Sequence, residues 1–369
     1  MLIAGGGIAG LSLAIALQRH GIASEIVERS NEWTSDGAGL YLIGLATRAL
    51  QTLGLLEVAI RSGCLIRTQT LLDRRGALIS QFDVDNFWSE CGPCLGLPRV
   101  ALHRILANEL RDIKIRFGVT VQALQQQGTH VSVQCNDGSL EDYDLVVGAD
   151  GIRSTIRQLE FGSNAPIFRG QVGWRFIAPL PSNVSGWSAF MGSNGAFLFV
   201  PIGNGMTYCY ADKTVSEPFQ DPVEGRITRL RDLFRDFAPP VRETLGKIAV
   251  DEAIHYSLIE EVVQQQPGRG RVVLIGDAAH AMSPNMACGA AMAFEDALVL
   301  AELLAGERSV ADAVSEFVRR RMARIRWLRS QTDRRDRMRQ LTPLIRDFAL
   351  RMLWRRLYKA NYGPMLPPP

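Results

Sequence analysis

The chain has 369 residues, 47% of them hydrophobic, and a formal net charge of +3. That length buries a large core as one complex domain or two smaller ones, while so small a charge gives no reason to expect nucleic acid. No apolar run approaches the ~18 residues of a membrane span, so membrane association is not expected, and six cysteines scattered at 64, 91, 94, 135, 209 and 288 suit reduced thiols in the cytoplasm better than a disulfide framework.

Met1-Leu2-Ile3-Ala4 reads as a strand that is short at its start, as though a few residues preceded it. It lacks the basic flank of a signal peptide. It runs into Gly5-Gly6-Gly7-Ile8-Ala9-Gly10, and Leu11 to Leu17 follow with helical periodicity. In a GxGxxG turn Gly5 permits the tight bend, Gly7 lets backbone approach a pyrophosphate and Gly10 lets helix and strand pack closely. The N-terminus of the helix, with free N–H groups, favours the phosphates. A second strand, Ala23 to Glu28, ends in an acid eighteen residues beyond Gly10, placed to accept hydrogen bonds from an adenosine ribose.

Gly37-Ala38-Gly39-Leu40 reads as a flexible loop of close approach, and Leu45 to Leu53 as a helix that Gly54 stops. Thr68 to Leu72 and Ala77 to Phe82 alternate as strands. Cys91-Gly92-Pro93-Cys94 has thioredoxin-type spacing, but Gly96 and Pro98 oppose the helix that such a site needs, and no second CxxC or His pair completes a metal site. It reads as a turn, and no metal is expected. Val100 to Leu110 is helical; Ile113 to Val121, Val131 to Cys135 and Asp144 to Val147 are strands, the last ending at Gly148-Ala149-Asp150-Gly151.

Residues 166–260 are rich in strand patterns and aromatic rings. Arg271 to Ile275 is then a second short apolar strand leading into Gly276-Asp277-Ala278-Ala279-His280, after which the chain is helical almost to its end. The arginines from Arg319 to Arg339 read as a solvated helix face ahead of a contact surface for an acidic partner or a membrane, and Leu341 to Tyr362 as a closing amphipathic helix, with a membrane-surface role as the lesser alternative. The expected fold is α/β: a Rossmann-like domain made of 1–66, 96–165 and 265–330, interrupted by a β-rich substrate-binding domain of 67–95 and 166–264, with a C-terminal helical segment over 331–369.

Two glycine-rich strand–turn–helix units so far apart suit one extended dinucleotide gripped at both ends, and FAD fits that better than NAD. Three signatures in order, GGGIAG with Glu28-Arg29, Asp150-Gly151-Ile152-Arg153-Ser154-Thr155-Ile156-Arg157, and Gly276-Asp277 with Pro284 and Glu295-Asp296, resemble the para-hydroxybenzoate hydroxylase-like (group A) FAD-dependent aromatic monooxygenases. The resemblance implies an oxidoreductase in which NADPH or NADH reduces FAD, O2 is taken up, and a flavin C4a-hydroperoxide hydroxylates a small aromatic or electron-rich ring. It implies cofactor contacts at Gly5, Gly7, Ala9, Gly10, Glu28, Arg29, Gly39, Arg99, Asp150, Asp277, Pro284, Gly289 and Ala290. The stretch Met286 to Ala291 departs from the family's glycine, glutamine and asparagine choices but keeps small residues.

No catalytic base stands out. Arg175, Tyr208, Tyr210 and His255 are candidates at the substrate, and Trp174, Phe190 and Phe199 are candidates to line its pocket. His280 reads as structural. The partners expected are a small aromatic substrate and O2, in a monomer or homodimer. Alternatives on the same scaffold are a flavin-dependent halogenase, for which Gly173 to Pro179 resembles the expected tryptophan segment only loosely, a reductase or oxidase, and a hydroxylase similar to those of the ubiquinone pathway. Outside enzymes, a flavoprotein relative acting as a prenyl-protein escort is a further alternative, which the three retained motifs oppose.

Overall fold

The computed structural model describes residues 1–33, 38–162 and 165–369. Its organising sheet takes six strands from separate parts of the chain, in the spatial order Gly268–Arg269, Val272–Leu274, Val146–Gly148, Leu2–Ala4, Glu25–Glu28 and Lys114–Phe117. All neighbours are parallel except the two-residue edge strand, which is antiparallel. Leu2, Ile3, Val146, Val147 and Val272 to Leu274 are buried, as expected of parallel strands covered on both faces. Three motif turns, at Gly5, Gly148-Ala149-Asp150 and Gly276, thereby meet at the carboxyl ends of three adjacent strands, where open α/β sheets bind ligands.

The helix Ile8–Arg19 packs on the helix Gly289–Leu304, which belongs to the last motif. The first is buried on nine consecutive residues, Ala9 to Leu17, so it is an interior helix rather than an amphipathic surface one. A three-stranded meander of Val121–Gln127, His130–Cys135 and Leu140–Tyr143 covers one flank. The expected strand from Ile113 to Val121 is broken at Gly118, whose φ of +70° turns the chain between Phe117 and Val121.

A second sheet has seven strands, ordered His255–Glu261, Ile167–Pro179, Met206–Thr214, Gly195–Gly203, Trp187–Met191, Thr68–Asp73 and Leu78–Asp83. Trp187–Met191 pairs in parallel with Thr68–Asp73, so a hairpin from the first hundred residues joins strands from the middle of the chain. That pairing supports treating 67–95 and 166–264 as one unit, a division we propose.

A small sheet of Gly39–Leu42, Cys94–Pro98 and Cys64–Ile66 packs against the seven-stranded sheet and the helices Gly44–Thr52 and Arg99–Glu109. Gly39 and Leu40 are therefore strand, not loop, because their backbone is paired with Pro98 and Leu97; Gly37 lies outside the described residues. Cys94 opens a strand too. Burial pushes its thiol up to about 12, opposite to the lowered thiol of a redox CxxC.

The C-terminal segment does not divide at 330. Val310–Arg339 is one 30-residue helix, capped by the Ser309 side chain on the Asp312 N–H. The chain breaks only at Gln340 to Thr342, before the helix Pro343–Tyr362. The arginine-rich stretch is a solvated face only in part, at Arg319, Arg326, Arg334 and Arg337. Arg321 is wholly buried, and Arg335 and Arg339 point into a cavity.

Candidate active site

Two cavities adjoin along the carboxyl edge of the six-stranded sheet, and Gly7, Ile8, Arg99, Ala149 and Gly151 line both. The narrower, about 290 Å3, runs past Gly5, Glu28, Arg29, Trp33, His103 and Asp150. The wider, about 550 Å3, runs past Ala9, Gly39, Asp277, Pro284, Gly289 and Ala290, then on under the seven-stranded sheet. Of the thirteen proposed cofactor residues, all but Gly10 line this trough. Gly10 packs under Gly5, whose carbonyl oxygen a β-carbon at position 10 would strike.

The narrow end is built from backbone. The helix beginning at Ile8 has no side-chain cap, so its first N–H groups are free for an anion. Nothing stands within 4 Å of where a β-carbon of Gly7 or Gly289 would lie, leaving open space against the backbone. The Glu28 carboxylate accepts from the N–H of Gly6 at 2.7 Å and of Ser30 at 2.9 Å, which fixes it at the strand end. His103 Nε2 lies 2.9 Å from the Gly6 carbonyl, and Trp33 packs edge-on to both His103 and Phe117. Sequence reading missed His103 and Trp33, because no spacing relates them to the glycines.

Asp150 accepts from the Thr155 and Ile156 N–H groups through one oxygen, while its buried Oδ1 has no partner among the described residues. A buried orphan oxygen beside a groove calls for a donor, and burial pushes this carboxyl upward. Arg157 joins the second motif to the third, donating to the carbonyls of Ile152 at 2.7 Å and Ala278 at 2.8 Å. Asp277 is exposed to the wide cavity and accepts no hydrogen bond among the described residues.

Behind Asp277 lies a buried ionic cluster. Asp296 Oδ2 takes the Gly276 N–H at 2.9 Å and His280 Nε2 at 2.6 Å, and its Oδ1 takes Arg321 at 2.7 Å. Arg321 also reaches Glu295 at 2.8 Å, and Arg324 chelates the same carboxylate. Burial would raise the Asp296 carboxyl, yet His280 and Arg321 beside it, with the hydrogen bonds from His280 and Gly276, hold it at about 2. His280 is thus a strut of the turn.

The wide end is built from side chains, and strand alternation decides which ones. Along Met206–Thr214, Tyr208, Tyr210 and Asp212 face the cavity; along neighbouring strands Arg175, Ala196, Leu198, Trp187, Ala189 and Met191 do. Trp174, Phe176, Phe190, Phe197 and Phe199 point to the other face and form a separate core, where Trp174 donates to Asp221 at 2.8 Å. Trp174, Phe190 and Phe199 therefore do not line the pocket. His255, opposite Arg175 on the edge strand, is exposed and outside both cavities.

Arg175 sits 5.2 Å from the Tyr210 ring centre and donates to Ser257. Tyr210 Oη is buried with no partner among the described residues, as is Asp212 Oδ2. Arg339 reaches both Asp212 and Asn285. Desolvation raises the phenols of Tyr208 and Tyr210, which keeps both as neutral hydrogen-bond donors. Met338, Leu350, Trp354, Leu357 and Tyr362 complete the roof. Asp212, Arg335 and Arg339 were missed in the sequence; the three- and four-residue spacing of 335, 338 and 339, then 350, 354 and 357, is the signal that marks an inward face.

The model of the FAD binding domain family matches residues 1–313. The chain is 33% identical over 320 residues to the aurachin C monooxygenase/isomerase of Stigmatella aurantiaca, covering 86% of this chain and 83% of the relative. The chain belongs to the FAD-dependent aromatic monooxygenases. This monooxygenase is also 34% identical over 337 residues to the 2-heptyl-3-hydroxy-4(1H)-quinolone synthase of Pseudomonas aeruginosa, covering 90% of this chain and 87% of that one. Klebsiella pneumoniae HpxO, solved with FAD and uric acid, has the same fold, with a TM-score of 0.90 at 24% identity over 100% of this chain and 97% of that one. The monooxygenase is a flavoprotein oxidoreductase, and the trough has the features that FAD requires: bare backbone at Gly7 and Gly289, an uncapped helix start, and acceptors at Glu28, Asp150 and Asp277.

Proposed function

We propose that this monooxygenase takes electrons from NADPH or NADH and hydroxylates a small aromatic or electron-rich ring held under the seven-stranded sheet. The carrying observation is that the two cavities adjoin and that the wide one is lined both by the proposed flavin-ring residues Asp277, Pro284 and Gly289 and by the polar cluster of Arg175, Tyr210, Asp212 and Arg339, the last bonded to Asn285 beside Pro284. FAD, when bound, supplies the redox chemistry, passing two electrons from the nicotinamide to O2 so that one oxygen atom enters the ring and the other leaves as water.

The chain's own residues do the rest. The N–H groups after Gly7 hold the pyrophosphate, Glu28 the ribose, and Asp277 the ribityl hydroxyls. Tyr210, with its hydroxyl unpaired, donates to a carbonyl or phenolate oxygen on the substrate ring, and Arg175 and Arg339 favour negative charge there. Met338, Leu350, Trp354 and Leu357 exclude water from the reacting end. His280 is committed to Asp296 and His255 lies outside, so neither moves the substrate proton.

The test is oxidation of NADPH and NADH by the FAD-loaded protein, with and without phenolic acids, N-heteroaromatics and quinolones, the last chosen from the name of the Pseudomonas relative. One compound class should accelerate flavin reduction and return a product heavier by one oxygen atom. Flavin that stays oxidised with both nucleotides and every compound would remove this reading.

A further inference from the structure

The helix Pro343–Tyr362 has two unlike faces. Leu350, Trp354 and Leu357 look into the wide cavity. On the outside, Leu344, Ile345, Phe348 and Met352 are 87%, 60%, 67% and 64% exposed. Their spacing of three and four residues sets them on one side. Among the described residues, six of the eighteen exposed large hydrophobics fall between 341 and 353. Exposed apolar side chains are ordinary when scattered singly; gathered on one ridge they mark a contact surface.

The charge beside the ridge narrows the occupant. Arg351, Arg355, Arg356 and Lys359 are all exposed, and the last three have no ion-pair partner among the described residues. The one acidic residue of the helix, Asp347, is held at 2.8 Å by Arg346. Arg351 donates to the Leu78 carbonyl at 3.5 Å, and Leu78, 56% exposed, extends the apolar surface onto the neighbouring hairpin. A second copy packed across a two-fold axis would bring these uncompensated cations toward one another, at a cost. An apolar ridge rimmed by arginine and lysine is the composition of a helix lying in a bilayer interface, and anionic headgroups supply the missing counter-charge.

We propose that this helix docks the protein on an anionic membrane surface, with Leu344, Ile345, Phe348 and Met352 sunk at the acyl boundary and Arg355, Arg356 and Lys359 against the headgroups. The attachment is peripheral: among the described residues no helix is long and apolar enough to cross a membrane. It takes the lesser of the two sequence expectations for this helix over the one that keeps the protein off membranes. The roof of the substrate cavity, formed by the inner face of this helix, then lies at the lipid interface.

Co-sedimentation of the full-length, FAD-loaded protein with vesicles tests this. Phosphatidylcholine vesicles containing phosphatidylglycerol should carry the protein down at low salt, pure phosphatidylcholine much less, and high salt should weaken the binding. The variant Leu344→Ser/Ile345→Ser/Phe348→Ser should bind roughly tenfold more weakly or worse, with unchanged Tm and flavin absorbance. Arg355→Glu/Lys359→Glu should abolish the preference for anionic vesicles. Absence of co-sedimentation with anionic vesicles overturns the proposal, as does undiminished binding of either variant. A concentration-dependent dimer that the serine variant dissolves would assign the ridge to a second copy instead.

Discussion

The two ends of the trough are made differently. At the narrow end the ligand-facing groups are main-chain N–H groups, bare glycine backbone and carboxylates pinned by neighbouring amides, in a motif turn or, for Glu28, at the end of the next strand. At the wide end they are long side chains, Arg175, Tyr210, Asp212 and Arg339, brought together from strands and a helix far apart in the chain. A dinucleotide presents the same phosphates and ribose to every enzyme that binds it, so backbone geometry suffices. A substrate ring varies, and side chains on a rigid sheet are replaced without disturbing the scaffold.

The largest effects should come from damage to the narrow end or to the cluster behind it, and a paired glycine experiment separates packing from binding. Gly10→Ala drives a methyl group into the Gly5 carbonyl; overpacking of this kind costs about 1–3 kcal/mol or more, so both Tm and flavin content should fall. Gly7→Ala meets open space, so Tm should hold while FAD loading drops. Equal loss of Tm in both variants would show that Gly7 serves the fold and not the ligand.

Next in size is Arg321→Met, which takes from Glu295 and Asp296 the cation they share and leaves them only Arg324 and His280 beside them. Removing one partner of a buried ion pair typically costs about 3–5 kcal/mol, read as a lower denaturant midpoint. The acid limb adds a second readout. The Asp296 carboxyl, at about 2 in the folded protein, lies below its unfolded value. Its contribution is therefore complete above the ordinary carboxylate range, about 3.9, and is lost as pH falls toward 2. Without Arg321 the folded value rises, and acid unfolding should begin at higher pH than in the parent. An unmoved acid midpoint would mean that the cluster does not set the stability of the Gly276 turn.

The smallest effect sharpens the wide end. Tyr210→Phe removes a hydroxyl with no partner among the described residues, so the unfolding free energy should stay within about 0.5 kcal/mol of the parent. One hydrogen bond to substrate is worth about 0.5–1.5 kcal/mol, which predicts a KM roughly two- to tenfold higher at unchanged FAD content. His255→Ala, outside both cavities, should leave KM and kcat alone. If His255→Ala raises KM instead, the assignment of the chamber to this face of the sheet is wrong.

Much of this is legible in the sequence alone. The strand–turn–helix at Gly5, the acid at Glu28, the turns at Asp150-Gly151 and Gly276-Asp277 and the β-rich middle are local patterns, fixed by what glycine permits, by where carboxylates sit after strands and by alternation. One boundary that differed did so for a non-local reason: Gly39 and Leu40 became strand because Pro98 and Leu97 pair with them. The helix Val310–Arg339 runs through 330, and its Arg321, Arg324, Arg335 and Arg339 find tertiary partners that no local pattern shows.

By itself, then, the sequence determined the class of fold, the flavin and the kind of chemistry, since those reside in short-range motifs whose geometry the backbone imposes. Only the tertiary structure decided which face of the second sheet meets the substrate, that the late arginines turn inward to the Glu295-Asp296 cluster and the chamber, and that the last helix leaves its apolar ridge bare. Periodicity tells that two faces of a strand or helix differ; it takes the packing of distant elements to tell which of them is covered.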